Sequence, residues 1–211
     1  MPIDELNILY SDEELDRLYE EYFGQMKITA EQKRVRKMVA SAIRDTILLL
    51  FVMILQGKDR DYDYLLSVFM GEYWEAIKAY MPDDNYAKAY LETAPREILE
   101  TTLNHLDVAE TGAGEYYISD ERATISAMNE ANTVVGYAEY AENVRQGKLF
   151  KVWETMKDTK VRESHRELEG MMIPIDEYFY VGNSMLQFPR DVVNCTDIRD
   201  IAGCRCVLSY R

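Results

Sequence analysis

The chain has 211 residues, of which 47% are hydrophobic, and it carries three cysteines and a formal net charge of −14. This length and apolar content are sufficient for one or two small packed domains. The acidic excess repels phosphate backbones and anionic lipid, which disfavours free nucleic-acid binding or membrane-surface binding as the main activity. An odd number of cysteines in a chain of this length does not fit a disulfide framework and favours an intracellular protein.

The charge is distributed unevenly along the chain. Residues 1–150 hold 28 acidic and 15 basic side chains, whereas residues 151–211 hold 10 and 9. The acidic surplus therefore belongs to the first part of the chain, and the last sixty residues are close to neutral.

Two capping boxes predict the first two helices. Ser11 followed by Glu14 indicates a helix over 12–24, and Thr29 followed by Gln32 indicates a second helix that ends at Gly57. The apolar run within this second helix, 47–55, is far shorter than the roughly 20 residues needed to span a bilayer. We expect it to be the central, buried helix of a bundle.

Further helices are predicted over 61–81, from about 84 to 93, and from Pro95 to about Val108, since proline suits a first helical position. The Thr-Gly-Ala-Gly sequence at 111–114 predicts a linker. We place the domain boundary there, between a helical region, 1–114, and a second region, 115–211.

The second region opens with a long helix, predicted from Ser119 to about Gln146 and closed by Gly147. Small elements are predicted to follow. They are a strand over 149–155, a helix over 159–169 that Asp158 caps and Gly170 ends, an extended segment over 171–175, a loop over 180–203 and a strand over 204–210. The fold class is α+β: a mostly α-helical N-terminal region, a long connecting helix and a small C-terminal α+β domain.

Candidate site residues lie in this small domain. Asp158, Arg162 and His165 are spaced to share one face of the predicted short helix. They would be either a helix cap, an intrahelical ion pair and a core histidine, or the residues of a functional site. Cys204 and Cys206, two apart in a predicted strand, would point to the same side with Arg205 on the other. With His165 and either Cys195 or Asp158, they would supply four ligands for tetrahedral zinc.

Three interpretations of these thiols stay open: buried metal-free side chains, a structural zinc site, and a redox or catalytic role. A cysteine nucleophile with His165 and Asp158 would need an oxyanion hole. The sequence does not indicate one. His105, in an ordinary amphipathic helix, is interpreted as structural.

An ordered pattern runs through the last sixty residues: W-x4-D-x3-R-x2-H-x2-L-x-G-x3-P-x4-F, followed by Cys-Arg-Cys. It is preceded by Asp-Glu-Arg-Ala at 120–123 and Asn-Glu-Ala-Asn at 129–132. This pattern resembles the C-terminal signature of the Mu F-like minor head, or head morphogenesis, proteins of tailed phages. The matching residues are Trp153, Asp158, Arg162, His165, Leu168, Gly170, Pro174, Phe179, Cys204, Arg205 and Cys206.

The resemblance implies a non-enzymatic minor head protein of a tailed phage or prophage. Such a protein would dock at the portal vertex, with the portal protein and other head proteins as partners, and act in capsid assembly or DNA delivery. It would be found in the virion interior, and in the host cytoplasm during assembly. The alternative is a small metal- or thiol-dependent enzyme that uses His165 and Cys204 or Cys206.

The negative charge disfavours broad contact with packaged DNA. If the protein touches the genome, we expect a local contact through Lys157, Lys160 and Arg166. No membrane partner is expected.

Overall fold

A computed structural model describes residues 9–56, 61–106 and 113–211. A region of long helices precedes a terminal unit, defined here as residues 147–211. The helices of the helical region are α1 Asp12–Phe23, α2 Ala30–Leu55, α3 Tyr62–Ile77, α4 Asn85–Leu106 and α5 Asp120–Arg145. The terminal unit contains β1 Phe150–Glu154, α6 Glu163–Arg166, β2 Met172–Pro174, β3 Phe179–Val181, β4 Ser184–Leu186 and β5 Val207–Tyr210. The predicted α+β class is confirmed.

The capping signals position the first helices as predicted. Ser11 and Thr29 each accept a hydrogen bond from the third residue of their helix, whose side chain bonds back to the cap. Such caps satisfy amide groups that the helix itself leaves without partners. Gly57, the predicted end of α2, lies outside the described residues.

Helix α2 is the centre of the bundle. Its apolar side chains Val39, Ile43, Ile47 and Phe51 are fully buried, and the helix packs against α3 and α5. By length and composition alone α2 is apolar enough to cross a membrane, but half of its most apolar stretch is buried inside the protein. The burial matches that of a core helix, as the sequence predicts.

The chain from 85 to 106 forms one helix, which corrects the prediction of two. Pro95 lies inside α4 rather than at the start of a new helix. An internal proline removes a backbone hydrogen bond and costs about 3 kcal/mol. Pro95 is buried together with Ala94, Ile98 and Leu99, so apolar burial offsets that cost. Val108, the predicted end, is outside the described residues.

Part of the predicted linker at 111–114 also falls outside the described residues. Its end belongs to a short 3-10 helix, Ala113–Ile118. Helix α5 then begins after the cap Ser119, which accepts from the Arg122 amide, and Gly147 follows its end with a φ of 73°. Both signals confirm the predicted long helix. The division into 1–114 and 115–211 stays a prediction.

Two small sheets build the terminal unit. One has the order β2-β1-β5 with antiparallel pairing throughout, and Val152 of β1 lies opposite Met172 on one side and Ser209 on the other. The second is the hairpin β3-β4. Pro174 lies in β2, an edge strand, as expected for a residue that cannot donate a backbone hydrogen bond.

Three predicted elements of the terminal unit were wrong in extent. The helix expected over 159–169 is only the four residues of α6, with Arg162 as its cap. The last strand begins at Val207, so Cys204 and Cys206 precede it. The segment 180–203, expected as a loop, contains most of the hairpin and a 3-10 helix, Ile198–Asp200. Elements of three or four residues carry too little periodicity to be recognised in sequence.

Candidate metal centre

The structure brings His165, Cys204 and Cys206 together from segments about forty residues apart in sequence. The two sulfur atoms each lie 3.5 Å from Nδ1 of His165. The three donor atoms are all within 4.8 Å of one another, and all three side chains are buried. The predicted convergence of one imidazole and two thiols is therefore confirmed, although neither cysteine lies in a strand.

The ring of His165 is oriented by its second nitrogen. Nε2 lies 2.7 Å from the backbone oxygen of Asp200, an acceptor that requires Nε2 to carry hydrogen. Nδ1 is consequently the nitrogen that faces the sulfurs. A histidine held by a backbone carbonyl on one nitrogen, with the other directed at thiols, has the arrangement common among metal ligands.

Burial and charge act in opposite directions on the three groups. Burial lowers the pKa of His165, but hydrogen bonding to Cys204, its thiolate charge and the Asp200 carbonyl together raise it above its ordinary value. The hydrogen bond from Cys206 and the contact with His165 both lower the pKa of Cys204, and together they outweigh burial, which raises it. The thiolate of Cys204, with burial, raises the pKa of Cys206. The pKa values of the three groups therefore depend on one another through direct contact.

Aromatic side chains close the centre from the sheet side. Trp153 of β1 is fully buried and meets the His165 ring edge to face, with centroids 5.7 Å apart, and Phe179 with centroids 5.0 Å apart. Leu168 is buried beside them. Gly170, at φ 75°, takes the predicted left-handed conformation, and its amide donates to the Trp153 carbonyl at 2.8 Å. These family-pattern residues build the wall of the site.

Asp158 and Arg162 do not form the expected pair. Asp158 bonds Arg205 at 2.7 Å and accepts from the Lys160 amide, while Arg162 donates to the Ala202 carbonyl. The reason is that residues 158–162 form a turn rather than a helix, so i, i+4 spacing does not place these side chains on one face. Both contacts tie this turn to the segment around Cys204.

Cys195 does not belong to the cluster. Its sulfur lies 3.1 Å from the Asp197 carbonyl oxygen and 3.7 Å from the Ser184 hydroxyl, beside the β3-β4 hairpin. Among the described residues, no further histidine, cysteine or carboxylate lies close enough to His165, Cys204 and Cys206 to act as a fourth ligand. Neither Cys195 nor Asp158 therefore fits as the expected fourth ligand.

Asp200 contacts the candidate centre and was not among the residues predicted from the sequence. Its carbonyl holds His165, and its carboxylate accepts from the Asn183 amide and the Ser184 hydroxyl at the hairpin turn. Gly182 makes this approach feasible, because its φ is 57° and a Cβ there would lie 2.1 Å from the Asp200 Oδ1. The Gly-Asn pair at 182–183 was the one signal of this turn in the sequence.

The Asn-Glu-Ala-Asn segment of α5 joins the terminal unit to the bundle. Glu130 accepts from Arg190 at 3.0 Å and from Tyr90 at 2.7 Å. Asn132 accepts from Arg36 at 3.0 Å and donates to the Cys204 carbonyl at 3.3 Å. The segment therefore bonds both the helices and the backbone of a candidate ligand. Arg190, which also bonds the Ile201 carbonyl, had no signal in the sequence.

Comparison with known protein families identifies one match, to the Phage Mu protein F like family, over residues 70–209. The match extends from α3 through the whole candidate centre to β5. No curated protein and no solved structure shows significant similarity to the chain. Since the family model covers more than half of the sequence, the chain belongs to the Phage Mu protein F like family.

Proposed function

We propose that the protein is a minor head protein of a tailed phage or prophage, which docks at the portal vertex and acts in head assembly or DNA delivery without catalysis. The family match over residues 70–209 is the observation that carries this proposal. It covers helical elements as well as the terminal unit, so the proposal concerns the joined architecture and not an isolated motif.

Surface exposure supports the terminal unit as the docking part. Five large apolar side chains of the described residues expose half or more of their surface, and four of them follow Gly147. They are Tyr180 at 74%, Leu149 at 69%, Met172 at 56% and Ile198 at 51%, against Tyr64 at 53% in the helical region. Exposed apolar side chains on a nearly neutral unit favour a protein partner.

The acidic helical region suits a location where broad DNA contact is avoided. Two of the three cations proposed for a local genome contact already have partners: Lys157 pairs with Glu169 at 3.0 Å, and Arg166 donates to the Val161 carbonyl at 2.9 Å. A DNA contact would therefore involve Lys160 first. The protein is proposed to act in the host cytoplasm during assembly and to remain in the virion interior.

Co-expression with the portal protein of the same phage or prophage tests the docking. We expect the two proteins to co-purify and the chain to be present in assembled particles. The double variant Tyr180→Ser, Met185→Ser changes two exposed residues that face each other across the hairpin, and should weaken co-purification. Tyr64→Ser on α3 is the matched control. Absence of the wild-type chain from both the portal complex and the particles would contradict the proposal.

One observation favours a thiol-dependent enzyme as the second candidate, namely the short distance between Cys204 and His165. The proximity of an imidazole is what activates a cysteine nucleophile. Both thiols are only 3% exposed, however, which restricts substrate access. Alkylation with iodoacetamide under native conditions separates the candidates: we expect reaction at the half-buried Cys195 alone, and rapid reaction at Cys204 would favour the enzyme.

A further inference from the structure

The two nitrogen-to-sulfur distances of the cluster correspond to edges of a zinc tetrahedron. Zinc binds sulfur at about 2.3 Å and imidazole nitrogen at about 2.0–2.1 Å, and a tetrahedral angle then separates nitrogen from sulfur by about 3.6 Å. Both Nδ1 to Sγ distances in the protein are 3.5 Å. The two sulfurs also lie within 4.8 Å of one another, so a small adjustment lets one ion reach all three donors.

Going beyond the proposed head function, we propose that His165, Cys204 and Cys206 bind one zinc ion, with the fourth coordination position open to exchangeable ligands from solvent. Binding requires Nδ1 of His165 without hydrogen and both cysteines as thiolates, so protons held by these atoms are released to solvent. Two thiolates neutralise the ion, and the imidazole remains neutral with its Nε2 hydrogen on the Asp200 carbonyl.

Hydrogen-bond donors around the sulfurs support a metal thiolate. The backbone amide of Cys206 donates to the Cys204 sulfur at 3.4 Å. The indole N–H of Trp153 is buried and meets no acceptor at standard geometry among the described residues. This N–H lies near Cys206 and lowers the pKa of its thiol, although the neighbouring Cys204 raises that pKa by more. A zinc-bound thiolate at Cys206 would give this N–H an acceptor.

The open fourth position is inferred from the pocket above the cluster. His165, Cys204 and Cys206 line it together with Lys160, Arg162 and Gly203. Zinc in proteins can be coordinated by three protein ligands, with a solvent molecule at the fourth position. The cationic side chains at the rim favour an anionic ligand at that position.

Zinc at this place would join segments that are held by few regular backbone bonds. Cys204 and Cys206 precede β5, and His165 lies in the four-residue α6. Metal binding contributes directly to folding when ligands come from segments with little structure of their own. We therefore expect the terminal unit, more than α1 to α5, to depend on the ion.

Elemental analysis of the full chain, purified after expression with added zinc, tests the assignment. We expect one zinc per chain in the wild type and in Cys195→Ser, the matched control. Cys204→Ser, Cys206→Ser and His165→Gln should each lower metal affinity by more than about tenfold. Trp153→Phe, which removes the indole N–H and part of the ring volume but no ligand, should lower it less. Zinc-free wild type, or equal loss of zinc in Cys195→Ser, would overturn the proposal.

Cobalt provides a readout that does not depend on the variants folding. Metal-free wild type, refolded with cobalt, should show the absorption of a tetrahedral ion and charge-transfer bands from two thiolates, and added azide should shift the spectrum. No thiolate-to-cobalt bands, or a disulfide between Cys204 and Cys206 found by mass spectrometry of protein kept under reductant, would reject the site. A spectrum insensitive to azide would reject the open position. None of these results depends on the portal, so they are separable from failure of the head function.

Discussion

The helical region and the terminal unit are held together by different interactions. In the helical region, helices of 12 to 26 residues bury continuous apolar faces, and α2 alone has ten buried residues. In the terminal unit, strands of three to five residues surround a cluster of polar and sulfur-containing side chains. Long helices therefore obtain stability from the apolar area that they bury, whereas short elements depend on specific links between distant segments.

One buried ion pair connects the two regions, and two others lie within the bundle. Arg190 of the terminal unit pairs with Glu130, and within the bundle Arg36 pairs with Glu139 and Arg44 with Asp120. Desolvation makes such pairs costly to break, because a lost partner leaves an uncompensated buried charge. The position of the candidate metal centre relative to the bundle therefore depends on the pair of Arg190 and Glu130.

The largest effect should come from breaking the link between the regions. Arg190→Met leaves Glu130 without its cation, and we expect the free energy of unfolding to fall by about 3–5 kcal/mol, measured by urea denaturation. Arg34→Met removes an exposed ion pair with Glu31 and should change it by less than about 1 kcal/mol. Equal effects of the two variants would contradict the role given to Arg190.

A cavity in α2 should weaken the helical region. Ile43 is fully buried, and Ile43→Ala should cost about 2–5 kcal/mol. Hydrogen exchange should accelerate in α2, α3 and α5. The control is Met38→Ala on the same helix, since Met38 is exposed and its truncation should stay within about 0.5 kcal/mol. A large effect of Met38→Ala would argue against the described packing.

Lys151 gives the terminal unit a pH dependence. Burial lowers its pKa to about 8, against its ordinary value of 10.5, so between these values the unfolded state binds more protons and stability rises with pH. Below pH 8 the cost of burying the charge is fully present. We expect wild type to gain about 2 kcal/mol relative to Lys151→Met from pH 7.5 to 10, measured by denaturation at each pH. An unchanged difference would contradict the lowered pKa.

Two glycine substitutions should act in opposite directions. Gly182→Ala places a Cβ against Asp200 at a positive φ, and should cost about 1–3 kcal/mol and weaken metal binding through His165. Gly71→Ala lies inside α3, where a Cβ meets nothing within 4 Å, and should stabilise by about 0.5–1 kcal/mol. Thermal unfolding measures both changes, and a stabilising Gly182→Ala would be inconsistent with the hairpin geometry.

Sequence patterns predicted the elements whose signals are local. Capping boxes at Ser11 and Thr29, the cap Ser119 and the glycine at 147 marked helix ends correctly. Pro95 misled, because a proline pattern does not reveal the apolar burial that keeps α4 continuous. The convergence of His165 with Cys204 and Cys206 was predicted from residue types and the family resemblance, but Cys195 was wrongly included because loop paths have no periodicity.

Amino-acid order by itself determined the long helices, the acidic surplus of the first 150 residues and the choice of the imidazole and two thiols. Three features became visible only in the folded chain. They are the pairing of Asp158 with Arg205, the orientation of His165 by Asp200, and the connection of the terminal unit to α5 through Arg190 and Asn132. Helical periodicity and caps are set by neighbours within four residues, so they can be seen in sequence. Contacts between residues 35 or more positions apart depend on the path of the whole chain, and they therefore cannot be seen in sequence.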